Sequence, residues 1–306
     1  MNNTPFTTLG IDVGGTKIAA GIVTFPEGRI QLRRQIPTQP DRGGDVVLGD
    51  VFQLATELAT ESGRRNFQVN AIGLGVCELV NIIGDIVSAN CLPWRSADVR
   101  EGLATIAPTV IEADVRAAAL AEATFGAGKS HRIFVYVTVG TGISSCLVIE
   151  GNPFIGARGA TGTVASSPLP HLGQPWDSGA GTTLEQIASG PALVARFNQL
   201  HGQAQSGQEV LAAAQSGNAS ALSVVRSGAE ALGATIAWLV NVLDPEAVVI
   251  GGGLGLSEGA YWESLVASAR KHIWSDLHRD LPIVRAATRL DAGLIGAAAA
   301  AWKKFA

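Results

Sequence analysis

The residues of this 306-residue chain best suited to chemistry fall in a few short clusters of acid, hydroxyl and glycine. The first is Asp12-Val13-Gly14-Gly15-Thr16-Lys17. Glycines let backbone N–H groups come close to an anion, Thr16 adds a hydroxyl donor, and Asp12 can hold a hydrated Mg²⁺. An ordinary hairpin turn would read the same way. Gly140-Thr141-Gly142 repeats the device; alone it is a common turn, but paired with the first it makes a two-sided clamp for a triphosphate. Gly251-Gly252-Gly253, continuing into Leu254-Gly255 after a buried strand, lets a flat ring lie on bare backbone, or serves only as a tight strand-to-helix turn. Asp114, in IEADVRAAALAE, stands between an apolar run and a helix. A carboxylate there can take a proton from an attacking hydroxyl, and can equally be a helix N-cap. Glu185 opens LEQIASGPAL, where an acid near a helix N-terminus is stabilising in its own right.

Several chemistries are excluded. No GxxxxGK[ST] occurs, so there is no P-loop, and no strand-borne GxGxxG with a downstream acid points to a nicotinamide dehydrogenase. A formal charge of −4 supplies no basic field for nucleic acid. Cys77, Cys91 and Cys146 are too widely spaced for a zinc knuckle and too few for a secreted disulfide framework, so free thiols in a reducing cytosol are expected. Met1 to Phe6 has no signal-peptide character, and the most apolar stretches are short or broken by glycine and proline, so a soluble cytoplasmic protein is expected.

The elements that must hold these residues follow from periodicity. LGIDVGGTKIAAGIV, from Leu9 to Val23, is a β-hairpin signal, since β-branched residues resume directly after the glycines. A third strand is expected near Ile30 to Ile36, a helix over Val46 to Glu61, strands at Val69 to Val76 and Ile82 to Val87, and a helix over Ala117 to Phe125. Ile133–Val139 and Ile143–Ile149 repeat the opening hairpin around residues 140–142, which suggests a duplicated α/β fold. Helices are expected over Leu184 to Leu200, Ser206 to Gln215, Ser220 to Leu243 and Tyr261 to Ile273. Strands Ala247 to Ile250 and Pro282 to Ala286 and a closing helix, Ala292 to Lys303, finish the chain, while Ser166 to Gly181 is the least structured stretch.

These pieces in this order resemble the ROK family (repressor, open reading frame, kinase) of sugar kinases, within the actin-like ATPase superfamily. The matching stretches are LGIDVGGTKIAAGIV, Gly73-Leu74-Gly75-Val76, LPW at 92–94, IEADVRAAALAEATFGAG, VTVGTGISSCLVIEG, GARGATG, LEQIASGPAL, LDPEAVVIGGGL and LDAGLIGAAAAAW. They run from residue 9 to residue 302. The resemblance implies a two-lobed actin-like ATPase (ribonuclease H-like) fold with duplicated βββαβα-type domains around a cleft. An N-terminal lobe would span 1–115 and a larger C-terminal lobe 116–289, with the helix at about 290–306 packing back on the first. It further implies ATP with Mg²⁺ and transfer of the γ-phosphoryl group to a sugar hydroxyl. Asp114 matches the family's catalytic base and Asp12 its metal-associated acid. Gly14, Gly15, Thr16, Lys17, Gly140, Thr141 and Gly142 match phosphate-side positions, and Gly251, Gly252 and Gly253 the adenosine-side turn.

The chain departs from the family pattern where the sugar is read. Ala113 stands where the family has Asn before its catalytic Asp. The Gly-Glu-x-Gly-His segment is Gly162-Thr163-Val164-Ala165-Ser166, so Thr163 and Ser166 replace the sugar-gripping Glu and His. The zinc cluster CxCGxxGCxE is residues 176–185, where Gly179 and Glu185 remain but every cysteine and the zinc histidine are gone. His171 without a thiol partner makes no structural zinc site, so none is expected. Cys77-Glu78 replaces the sugar-side Pro/Ser-Gly turn and brings a carboxylate that could meet an ammonium on the ligand or simply be a solvated loop acid.

Everything that handles nucleotide and phosphoryl transfer is thus retained, and the sugar-reading set, here Glu78, Ala113, Asp114, Thr163, Ser166 and Glu185, is altered except at Asp114 and Glu185. A site that loses its hydroxyl partners loses on the order of 10⁴-fold discrimination. The expected activity is therefore phosphorylation of a primary hydroxyl on a modified hexose, an amino sugar such as kanosamine, or a sugar-like cyclitol. An ordinary glucokinase with altered contacts and a non-catalytic sugar-sensing pseudokinase are the alternatives. A regulator of the family would carry a helix-turn-helix ahead of the first hairpin; the first strand begins about seven residues in, so that role is not expected. The family likeness implies a homodimer with no nucleic-acid or membrane partner.

Overall fold

A computed structural model of the protein describes residues 5–166 and 182–306. Strands β1 (Phe6–Val13), β2 (Lys17–Phe25) and β3 (Arg29–Pro37) are followed by helix α1 (Gly44–Arg64), β4 (Ala71–Val76), α2 (Ser96–Ala104), β5 (Thr109–Ala113) and α3 (Asp114–Phe125). Next come β6 (Ile133–Val139), β7 (Ile143–Ile149), β8 (Asn152–Pro153), α4 (Glu185–Ala188), α5 (Gly190–Gln199), α6 (Gly207–Gln215) and α7 (Ala219–Leu243). The chain finishes with β9 (Ala247–Gly251), α8 (Gly252–Gly255), α9 (Ala260–His272), α10 (Asp276–Arg279), β10 (Ile283–Arg285) and α11 (Ala292–Phe305).

Among the described residues the strands form two five-stranded sheets, β3-β2-β1-β4-β5 and β8-β7-β6-β9-β10. Corresponding strands occupy corresponding places, so the fold is a duplicated α/β design. In the first sheet β1 is antiparallel to β2 and parallel to β4, and β4 is parallel to β5. In the second, β6 and β10 both run parallel to β9. The chain divides into two compact units, Met1–Ser130 with Val148–Thr161 and Leu290–Ala306, and His131–Leu147 with Gly162–Arg289. The first division thus falls after Ser130 rather than at 115/116, because α3 packs on α11 and on strands of the first sheet.

In the first unit one sheet face is conventional: Leu9, Ile11, Val13, Ile72, Leu74 and Val76 pack against Val47, Val51, Leu54 and Leu58 of α1. The other face is stripped of side chains where α11 lies. A Cβ on Gly10 would sit 2.3 Å from the Leu294 carbonyl oxygen, and one on Gly73 only 1.7 Å from that of Ala297. Gly296 plays the reciprocal part on the helix, since its Cβ would fall 1.7 Å from the Ala117 carbonyl of α3. The alanine-rich sequence of α11 therefore buries itself by backbone-to-backbone approach rather than by long side chains. In the second unit, α7 and α9 pack in the same manner at Gly233, whose Cβ would meet the Leu265 carbonyl at 2.3 Å.

Two expected elements take another form. Residues 82–87 are not a strand; an isolated bridge joins Val80 and Ile86. Asn81 captures this segment, its Oδ1 accepting from the backbone N–H groups of Ile83 and Asp85, which closes a turn around Gly84. The helix expected over 184–200 breaks at Ser189, whose hydroxyl caps α5 by accepting from Ala192 N–H. Helix α2 carries no strong apolar period and was not anticipated. Among the described residues no helix is long and apolar enough to cross a membrane. The tight fit of α11 makes Gly73→Ala destabilising by about 3 kcal/mol. Gly49→Ala, in α1 with nothing within 4 Å of its added Cβ, stabilises by about 0.5–1 kcal/mol; urea unfolding of both variants measures the contrast.

Candidate active site

In the first unit β1, β4 and β5 end in register, with Asp12 opposite Gly75, Gly75 opposite Glu112, and Val76 opposite Ala113. Ligand sites in open α/β sheets gather beyond such carboxyl ends. A Cβ on Gly75 would lie 3.7 Å from both Asp12 Oδ1 and the Asp114 Cα, so this glycine sits between the two acids. Gly293, in the first turn of α11, clears the other side of Asp12: a Cβ there would be 2.3 Å from Asp12 Oδ2.

Asp114 is the first residue of α3, and Ala113 holds the cap position with extended backbone. The acid is therefore not the helix N-cap; its Oδ1 accepts from the neighbouring Val115 N–H at 2.6 Å. Both acids remain partly exposed. Burial pushes Asp12 up to about 6, against the opposing pull of Lys17. Asp114 rises to about 7, first through burial and then through the negative charge of Asp12; Glu78 pushes the same way, while the Val115 hydrogen bond and Arg116 oppose it. A carboxyl group poised near neutrality is suited to accept a proton.

The first glycine turn is closed by Gly14 N–H donating to the Lys17 carbonyl at 3.0 Å. Thr38, fully buried, pins it from behind: its hydroxyl donates to the Gly14 carbonyl at 2.7 Å and its N–H to that of Thr16 at 3.0 Å. Gly14, Gly15 and Thr16 thus present their outer edge at the surface. The second unit braces its turn differently. Gly140 N–H closes it on the Gly142 carbonyl, Gly190 N–H donates to the Gly140 carbonyl at 2.8 Å, and Glu185 Oε2 accepts from Ile143 N–H at 2.8 Å. Thr141 lies at the exposed tip.

The second unit also brings its two glycine segments together, a Cβ on Gly140 falling 3.9 Å from the Gly253 nitrogen. Gly252 has φ +80°, and a Cβ there would strike the Val139 carbonyl at 2.4 Å, so only glycine fits. Gln208 Nε2 donates to the Gly253 carbonyl at 3.0 Å. Thr163 and Ser166 are exposed on the turn that follows Gly162, whose carbonyl accepts from Ser145 N–H at 3.0 Å.

Two sequence assignments change. Glu78 is neither a ligand acid nor a solvated one, being 5 % exposed with both carboxylate oxygens engaged. One accepts from Cys91 and Leu92 N–H, the other from Asn90 N–H and the Ser88 hydroxyl. Burial alone would raise its pKa, but these hydrogen bonds outweigh it and hold the carboxyl below its ordinary value. Ala113 is buried in the core of the first unit, so its side chain does not line the acceptor side. Cys77 and Cys91 are half-buried and free, and Cys146 is buried. Burial, reinforced by Asp114, pushes the Cys77 thiol far up, so it stays protonated. Among the described residues no three His, Cys, Asp or Glu side chains group as metal ligands; His171 and positions 176–181 of the zinc comparison lie outside the described residues.

Sequence reasoning missed Thr38, Gly293, Glu112 and Arg116. Arg116 carried a signal, as the one basic residue in the alanine-rich α3 and buried at 3 % exposure. Thr38 carried none, since its role arises from β3 returning beside the turn.

The model of the ROK family matches residues 8–304. The glucokinase of Streptomyces coelicolor is 30% identical over 95% of this chain and 96% of its own length. The N-acetylmannosamine kinase of Yersinia pseudotuberculosis is 32% identical over 95% of this chain and 96% of its own. Among solved structures, a ROK family glucokinase from Streptomyces griseus in complex with glucose and AMPPNP superposes with TM-score 0.81 at 26% identity, covering 97% of this chain and 99% of that one.

Asp114 and Glu78 should affect stability with opposite sign. The raised pKa of Asp114 means that ionising it costs stability as pH climbs from about 4 through about 7. Asp114→Asn is therefore more stable than the wild type at pH 8, by about 1–2 kcal/mol after solvent screening, and equal to it near pH 4. The depressed pKa of Glu78 gives stability that is present above its ordinary value and lost in acid. Glu78→Gln costs about 2 kcal/mol at pH 8, and the gap closes as pH falls below about 4. Denaturant titrations at both pH values read both effects.

Proposed function

Because the chain belongs to the ROK family, we propose that it is an ATP-dependent sugar kinase that phosphorylates a primary hydroxyl of a hexose-like acceptor, with Asp114 as general base. The observation that carries this reading is the partly exposed Asp114 carboxyl at the end of β5, raised to about 7 by burial and by Asp12. As the acceptor oxygen attacks the γ-phosphorus, its proton passes to the Asp114 carboxylate, the new P–O bond forms and the bond to ADP breaks. Because its surroundings favour the neutral form, the ionised Asp114 is a stronger base than an ordinary carboxylate and readily keeps that proton.

Backbone N–H groups of the turns at Gly14–Lys17 and Gly140–Gly142 serve as phosphate ligands, and the Gly252–Gly253 segment takes the adenosine side. The donor set suits Mg²⁺: hard carboxylate oxygens, and no third protein acid grouped with them among the described residues, as expected for an ion that relies on phosphates and water for the rest. Asp12 would hold the ion, which when bound neutralises charge on the phosphates.

The acceptor's finer identity is inferred from the residues standing at the family's sugar-reading positions. Thr163 and Ser166 carry neutral hydroxyls where the family uses Glu and His, and Ala113 keeps its side chain in the core. A modified hexose, an amino sugar such as kanosamine or a sugar-like cyclitol fits this set better than glucose, and any amino group would have to find a partner other than Glu78. The protein is proposed to work in the cytoplasm as a homodimer. Supporting the dimer, Trp238, Val242, Trp274 and Leu277 are exposed around the end of α7, where Asn241 ties to Trp274 N–H at 3.0 Å.

ATP consumption with glucose, N-acetylmannosamine, glucosamine, kanosamine and a hydroxymethyl cyclitol tests the reading. Transfer to at least one is expected, with glucose not the best; fastest turnover of glucose would leave an ordinary glucokinase, and none with any acceptor would leave a sensor. Asp114→Asn is expected to keep ATP affinity within about threefold while transfer falls by at least about 10³-fold. In the wild type kcat/KM should fall as pH drops below about 7, since the base is then protonated.

A further inference from the structure

Arg116 lies two residues beyond the proposed base in α3 and is almost wholly buried, at 3 % exposure. Its Nε donates to Glu112 Oε1 at 2.6 Å, and its Nη2 approaches the same oxygen at 2.5 Å. Nη1 donates to the Gly159 carbonyl at 2.9 Å and Nη2 to the Val80 carbonyl at 2.7 Å. One planar group thus joins four pieces of chain: the end of β5, helix α3, the loop after β4 and the loop after β8. Glu112 balances its charge, and the two carbonyls use the donors that remain, as a buried ion pair requires.

The two loops meet each other as well. Gly159 has φ +80°, and a Cβ there would lie 2.2 Å from the Val80 carbonyl oxygen, so the joint closes only around a glycine. The Val80 loop is the one Glu78 gathers through Ser88, Asn90, Cys91 and Leu92. The loop starts beside the base, since Cys77 and Glu78 follow directly on Val76, which pairs with Ala113, the residue before Asp114. This loop therefore borders the base, and through Arg116 it drags the 154–161 loop with it.

We propose that Arg116 is a positioning residue: it clamps the Val80 and Gly159 loops onto the helix that carries Asp114 and so fixes the wall against which the acceptor is held. The inference rests on the kinase reading for the word acceptor, but the clamp itself is a matter of hydrogen bonds. A lysine keeps the charge and can satisfy Glu112, yet its single ammonium has no flat fork to reach both carbonyls.

Arg116→Lys and Gly159→Ala test the clamp from its two sides, the second leaving the guanidinium untouched. Kinetics use the fastest acceptor of the five-compound panel, and hydrogen exchange is followed over residues 79–88 and 154–161. For both variants the acceptor KM is expected to rise about tenfold, with the ATP KM and kcat within about threefold of wild type. Exchange should quicken in both loops together. An acceptor KM that stays put, or that rises only in step with the ATP KM, would overturn the proposal. So would unchanged exchange in both loops of both variants. A wild type idle on all five acceptors would instead contradict the kinase reading, and the exchange measurement would still decide the clamp.

Discussion

The structure depends on two carboxyl groups being brought close at the ends of parallel strands. Asp12 and Asp114 flank Gly75, a residue with no side chain to separate them. Burial raises both pKa values, to about 6 and about 7, and the negative charge of Asp12 adds to the rise at Asp114. Such a pair is unfavourable for folding at neutral pH, because each ionised acid opposes the other in a poorly solvated place. A chain selected for stability alone would put an amide or an apolar residue at one of these positions. The strain is understandable under the proposed roles, in which one acid accepts a proton and the other attracts a cation.

Around this pair the molecule economises on side chains. Gly10, Gly73 and Gly296 let α11 press its backbone on the first sheet and on α3, and Gly293 then clears space for the Asp12 carboxylate. Moving the helix by even a Cβ width would displace the wall beside Asp12. Rigidity is thus carried from the chain's last helix to a residue near its start. The paired glycine turns show a second economy. Both units use the same hairpin, yet Thr38 braces the first turn, whereas Gly190 and Glu185 brace the second. Duplication kept the turn and left each unit to find its own support.

Much of this was legible in the sequence. The hairpins at 12–17 and 140–142, the strand-to-helix junction at Asp114 and the Gly251–Gly253 segment announced themselves through composition and spacing, and the order of motifs pointed to the family. What could not be read were roles set by contacts distant in sequence. Glu78 looked like a new charge for a ligand, but four donors from residues 88–92 claim its oxygens. Ala113 looked like a vacated sugar contact, but its side chain belongs to the core. Residues 82–87 have the β-branched composition of a strand, and Asn81 overrides it with two side-chain hydrogen bonds. Arg116 ties together residues from 80 to 159, and no local window contains that information.

The claim on which all else rests is that Asp114 is an acid held near neutrality by burial and by Asp12. Carbon-13 NMR of side-chain-labelled aspartate follows each carboxyl directly, in the nucleotide-free protein without divalent cations and in its Asp12→Asn variant. The account requires Asp114 to titrate near 7 in the wild type and distinctly lower once the Asp12 charge is gone. A carboxyl that titrates near 4 in both proteins would contradict it.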